Sequence, residues 1–280
     1  MLQLDIPEVT VTEAAAAVTQ RMRRQPHLSR IQARTADMEM AEILYIAAGQ
    51  DGTLTDLSKK ISTAGSDEEY LLFAYDGGLV ASKAGRDIYD QILAGTPFER
   101  CPLCGRGIAT TLDHQLPKSE YPILAITPAN LVPACSTCNQ KKSNKDAADE
   151  SEMLLHPYFD QLGTNQWLEA RIHEESPARA QFFVRRSQDW SASFSERVAR
   201  HFDFFGLSRQ YALAAAGKLA TDRLQHAGLL ARAGSDELRL HLHEAADGHW
   251  SVAGNTWEGA LCTALAKSEW YVNGGMNEVR

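Results

Sequence analysis

Apolar residues recur at three- and four-residue intervals along most of the chain, a spacing that predicts helices. The first run is TEAAAAV, with Thr10 or Thr12 as its N-cap. A second, SRIQARTADMEMAEILYIAAG, is predicted to stop at Gly49. A short helix opens at Asp67 with Ser66 as N-cap and acidic residues in its first turn. SKAGRDIYDQILAG follows, with Ile88, Ile92 and Leu93 on one side and Gly95 as the stop. From about residue 96 to 165 the helical period fades. Prolines cluster there, at 97, 102, 117, 122, 128, 133 and 157, and predict turns and short strands. Beyond that, QWLEARIHE and RAQFFVRRS alternate loosely and predict a hairpin. Helical runs then return to the end, with Ser208 and Ser235 as expected N-caps and Gly206 and Gly234 as expected stops. The pattern predicts a mainly α chain with a small α+β insert. Its regions are 1–95 (helical), 96–165 (the insert) and 166–280 (hairpin, then helices).

Composition narrows the class. The 280 residues are 44% hydrophobic and 23% charged, ordinary values for a globular protein. No apolar run approaches a membrane span, and no basic stretch precedes an apolar one at the start. The expected location is therefore the cytoplasm. The net charge of −8 argues against a protein that coats nucleic acid by charge alone. It leaves room for a local basic cleft. Between Glu99 and Lys145 the sign reverses, with six Lys/Arg against three Asp/Glu. The run Arg21–Arg24 reads as a solvated helix end.

Five cysteines change the picture further. Four form Cys101-x2-Cys104 and Cys135-x2-Cys138, and the fifth, Cys262, lies in the apolar helical run GALCTALAK as a core residue. Each pair sets two thiolates on one tight turn, and two such turns complete a tetrahedral zinc site. Four protein thiolates leave no position for water, so this zinc is structural. The 30 residues between the pairs exceed the spacer of about 15–20 in a simple zinc ribbon. The knuckles hold something between them.

That spacer carries LDHQLP and leads into PANLVPACSTCNQKKSNK. Asp113, His114, Asn130, Asn139 and several lysines together suit phosphodiester hydrolysis. This chemistry needs a base for water, a divalent metal on the phosphate and cations for the backbone. His114 titrates near neutrality, and Asp113 offers Mg²⁺ a hard oxygen. Asn139 can add a second oxygen, with Lys142 and Lys145 following it at steps of three on a helix. Lys118 is a further candidate for phosphate, and Lys141 is less favourably placed. Neighbouring residues on a flat strand point to opposite faces, so the Asp-His strand must twist, bulge or contribute a backbone oxygen. Three other groups of histidines fall outside this set. His156, with Asp160, reads as a packing turn in preference to a further phosphate contact. His201 reads as a surface or domain-interface residue, and His241 and His243 do not share a helix face.

The order DH, N, N framed by CPLC and CSTC resembles the HNH endonucleases, also called ββα-metal or His-Me finger nucleases. The likeness spans about residues 100 to 146, with Asn rather than His at the last signature position. The resemblance implies a hairpin carrying Asp113 and His114, a loop with Asn130 and a helix starting near Asn139. It makes His114 the general base and Asn130 its brace. Asp113 and Asn139 become ligands of one Mg²⁺ or Mn²⁺. The expected products are a 5′-phosphate and a 3′-hydroxyl, with DNA as the favoured substrate. Stand-alone proteins of this kind with helical flanks resemble nuclease subunits of bacterial anti-phage defence systems, including Septu-like systems with an ATPase partner. The alternative is a zinc-stabilised module that binds nucleic acid or protein without catalysis.

Overall fold

A computed structural model describes residues 1–59, 67–144, 147 and 149–277. Ser66 and Lys145 lie outside the described residues. The architecture is mainly α, with two small antiparallel two-stranded sheets among the described residues. The chain divides into two compact units, Met1–Gln161 and Leu162–Arg280.

The first unit opens with α1 (Val11–Thr19). Its cap is Thr10, in a reciprocal box with Glu13. The buried Glu42 of α3 (Thr35–Asp51) accepts from the first helical amide, Val11 N, at 3.0 Å. A carboxylate at the positive end of α1 satisfies an orphan N–H and locks α1 onto α3. Burial raises the pKa of Glu42 against that bond. Between these helices runs α2 (His27–Ala33).

The predicted stop at Gly49 is wrong. The helix continues to Asp51 and ends at Gly52, whose φ of 70° is left-handed. Gly49 serves packing instead. A Cβ there would lie 2.4 Å from the ring of Phe159, so the absent side chain makes room for an aromatic.

Next come α4 (Glu68–Phe73), a π-helix (Ala74–Val80) and α5 (Lys83–Leu93), which Ser82 caps. Strands β1 (Thr111–His114) and β2 (Leu131–Ala134) pair with Asp113 opposite Val132 and His114 opposite Leu131. Leu112, Leu116, Leu124 and Leu131 bury their side chains in the same core as Val11, Ile31 and Tyr45. The knuckle segment is thus built onto the core of the helices before it. Helix α6 is Ser136–Lys142.

In the second unit the expected hairpin is present, β3 (Leu168–His173) against β4 (Arg179–Val184). Helix α7 (Ala192–Phe205) is capped by Ser191 and ends at Gly206 in the left-handed region. Helices α8 (Leu207–Ala233), α9 (Ser235–Ala253), α10 (Trp257–Lys267) and α11 (Glu269–Val272) follow. Ser208 and Ser235 are not N-caps, because each stop glycine is followed at once by the next helix. Ser208 donates instead to Phe182 O of β4 at 2.7 Å. Nor is His201 a surface residue: it is buried beside Phe205, with ring centroids 4.8 Å apart. Cys262 is buried in α10, as its apolar run predicts. No helix among the described residues is long and apolar enough to cross a membrane.

Gly49→Ala tests the packing role. It is expected to destabilise the protein by about 1–3 kcal/mol, because Phe159 must shift. The measurement is the urea midpoint, and an unchanged midpoint would show that Phe159 yields freely.

Candidate active site

The four Sγ atoms of Cys101, Cys104, Cys135 and Cys138 all lie within 4.8 Å of one another, buried. Cys104 and Cys135 are 4.0 Å apart. Zinc–sulfur bonds of about 2.3 Å in a tetrahedron place sulfurs about 3.8 Å apart, so the cluster fits zinc. The first knuckle is a tight turn. Cys101 N donates to Gly107 O and Gly105 N to Cys101 O, both at 2.7 Å, and Gly105 has φ 65°. Gly107 N donates to Cys104 Sγ at 3.3 Å, a bond that stabilises a thiolate. The second knuckle is the start of α6 itself, with Cys135 at the N-cap position and Cys138 in the first turn. The helix begins at Ser136, three residues before Asn139, close to where the resemblance implies.

The cysteine cluster thus ties the first turn of α6 to the first knuckle, and α6 lies against β1. Asn139 Nδ2 donates to Thr111 Oγ1 at 3.0 Å, and Lys142 Nζ lies 3.2 Å from Asp113 Oδ2. Thr111 and Asp113 are two apart on a strand and share a face. Asn139 and Lys142 are three apart on a helix and also share one. The orientation of Asn139 follows from its partner. Thr111 Oγ1 already gives its proton to Ala134 O at 3.0 Å, so it can only accept from Asn139. That consumes the amide nitrogen and leaves Asn139 Oδ1 as a donor for a cation. Asp113 is 6% exposed, and burial raises its pKa while Lys142 opposes the shift. The adjacency problem is met with a backbone oxygen: Lys142 Nζ also takes the carbonyl of His114, at 2.5 Å.

His114 is 8% exposed, and its Nε2 lies 2.8 Å from Ala125 O. A carbonyl only accepts, so Nε2 carries the proton and Nδ1 holds the lone pair. Desolvation lowers the pKa of His114 to about 4. The Ala125 bond opposes this, and the charges of Lys118 and Lys142 add to it. The imidazole is therefore a neutral base at neutral pH. Asn130, fully buried, accepts from Leu116 N at 2.8 Å and donates to Leu116 O at 3.0 Å and Leu124 O at 3.3 Å. It ties together the loop that brings Ala125 to His114.

Several contributors come from the helices before the knuckles and have no signature in the sequence. Leu112 lies opposite Pro133, which has no N–H. Its amide donates to Tyr89 Oη at 2.9 Å, and its carbonyl accepts from Tyr75 Oη at 3.3 Å. Tyr75 also meets the His114 ring at 4.5 Å, close to edge-on. Lys118 lies over Tyr75 at 4.5 Å and pairs with Asp76 at 2.6 Å. The segment AYDGGLV hinted at this only through its glycine pair inside an apolar run, which the π-helix uses. His156 stands apart from this cluster. Its Nδ1 accepts from Tyr158 N at 3.2 Å, so its Nε2 donates to Tyr45 Oη at 2.9 Å. Its own amide donates to Asp160 at 2.7 Å, which closes a packing turn.

Comparison with known proteins agrees with this geometry. Residues 101–145 match the HNH endonuclease family. Protein ea31 of Escherichia phage lambda is 33% identical over 143 residues, which are 50% of this chain and 48% of that protein. The match thus spans about half the length of that curated relative. No solved structure matches. Residues 101–145 thus form an HNH endonuclease family domain that includes a four-cysteine cluster able to hold a structural metal.

Two predictions follow from the site. Purified protein should carry about one zinc per chain. Cys104→Ser should lower both zinc content, by metal analysis, and Tm. Retained zinc with an unchanged Tm would contradict a structural metal. For His114, the unfolded state binds a proton near pH 6.5 and the folded state near 4. Its contribution to stability is therefore present above pH 6.5 and is lost as pH falls between those values. Urea midpoints from pH 7 to 4 should drop more steeply for the wild type than for His114→Gln.

Proposed function

We propose that this chain is a cytoplasmic, metal-dependent HNH endonuclease that hydrolyses phosphodiester bonds of DNA. The observation that carries the reading is the committed tautomer of His114. Its Nε2–H is spent on Ala125 O, so Nδ1 is free to take a proton from water. Asp113 and Asn139 Oδ1 would hold one Mg²⁺ or Mn²⁺, which supplies charge neutralisation at the phosphate and the leaving oxygen. Asn130 keeps Ala125 in register and with it the angle of the imidazole. Tyr75 restricts ring rotation from one side. Lys118, half-buried at the edge of the site, can leave Asp76 for a phosphate. Lys142 contributes a second cation from within. Lys145 belongs to the proposal on sequence grounds alone. Attack by water at phosphorus expels the 3′ oxygen and leaves a 5′-phosphate.

One observation favours the second reading, a zinc-stabilised binding module without catalysis. Asp113 is already neutralised by a buried lysine, which is the arrangement an inert site would keep. Plasmid nicking with Mg²⁺ or Mn²⁺ separates the two. The wild type should cut, and His114→Ala should lose about a hundredfold or more. Binding without cutting by the wild type would favour the inert module.

We further infer that the enzyme serves as the nuclease of an anti-phage defence system under control of an ATPase subunit. The support is its nuclease domain embedded in helical flanks. Co-purification of an ATPase from the native operon is the expected result, and full activity of the protein alone would count against it.

A further inference from the structure

Lys142 is 3% exposed, and lysines are seldom buried so deeply without a partner. Its ammonium touches two hard oxygens, Asp113 Oδ2 and the His114 carbonyl. One helical turn back on α6, Asn139 is held on the same strand by Thr111 and keeps its Oδ1 uncommitted. This is an oxygen-lined cation site made by the chain, with the chain's own cation in it. A divalent ion would bind the Asp113 carboxylate at about 2.1 Å. An ammonium about 3 Å from the same carboxylate would then face a dication across one anion, in surroundings where charges are weakly screened. The two compete for Asp113, so the metal binds more tightly once Lys142 has moved away.

Leaving has a cost, because a buried ammonium needs another anion. The phosphate of an arriving nucleic acid is such an anion. Lys142 is the last residue of α6, where the helix ends and only its side chain must swing. We propose that Lys142 neutralises Asp113 until a divalent ion takes the carboxylate, and that it is handed to the substrate phosphate in the same exchange. Metal and nucleic acid then bind cooperatively, each raising the affinity of the other by the same factor. This rests on the reading of Asp113 as a metal ligand. It adds that metal affinity is held low by the protein itself.

The test uses full-length, zinc-loaded protein with His114→Ala, so that DNA is not cut. Mn²⁺ binding is read from the electron paramagnetic resonance of the free ion, with and without a short DNA duplex. With Lys142 present, DNA should tighten Mn²⁺ binding about fivefold or more. Lys142→Met should bind Mn²⁺ about tenfold more tightly without DNA, and DNA should add little further. Asp113→Asn should abolish binding in both backgrounds. Should Lys142→Met fail to fold, Lys142→Gln removes the charge while keeping a polar end. Equal or weaker Mn²⁺ affinity without Lys142, or an unchanged effect of DNA, overturns the exchange while leaving Asp113 as a ligand. Absence of Mn²⁺ binding in every protein removes the metal reading itself.

Discussion

The second cysteine pair is both a metal knuckle and the first turn of a helix, and the site depends on that double use. Once Cys135 and Cys138 are pinned to Cys101 and Cys104, the phase of α6 is set. Asn139 then falls on Thr111 and Lys142 on Asp113. A rotation of α6 by one residue, about 100°, would carry both side chains off the strand. A seven-residue helix has no such rigidity by itself, since isolated helices this short are unstable in water. A metal held by the four cysteines would substitute for length.

Held this way, the cluster mixes buried charges with a deliberately uncharged base. Asp113 and Lys142 are buried together, so neither stands unpaired. Loss of water keeps the ring of His114 neutral, and the positive charges of Lys118 and Lys142 add to it. The Ala125 carbonyl pulls the other way but fixes which nitrogen keeps the lone pair. Burial thus lowers the basicity of His114 but removes any need to deprotonate it first.

Much of this was legible in the sequence because zinc knuckles and the DH pair are local signals. The spacing of four cysteines, Asp113 beside His114 and Asn139 beside Cys138 all lie within short stretches. The helices were legible where capping was local, as at Thr10, and misread where a glycine had two possible uses. Gly49 resembles a stop but exists to admit Phe159, a residue 110 positions away. Long-range contacts account for the rest. Tyr75 and Tyr89 are ordinary core aromatics by spacing, and nothing local announces their hydroxyls on Leu112. The carbonyl of Ala125 could not be foreseen, since every residue has one.

Those two hydroxyls have a consequence for how the nuclease segment could be moved between proteins. A two-stranded sheet normally offers an open edge to any passing strand. Here the outer side of β1 at Leu112 is occupied by phenols from the π-helix and α5, which act as a third strand reduced to two contacts. A segment cut at residue 96 would keep its knuckles and its signature residues. It would lose the groups that saturate its edge, and a sticky strand would lie beside His114. The helical flank is therefore also the lid on an aggregation surface, and shuffling this domain requires carrying that flank along or replacing what it caps.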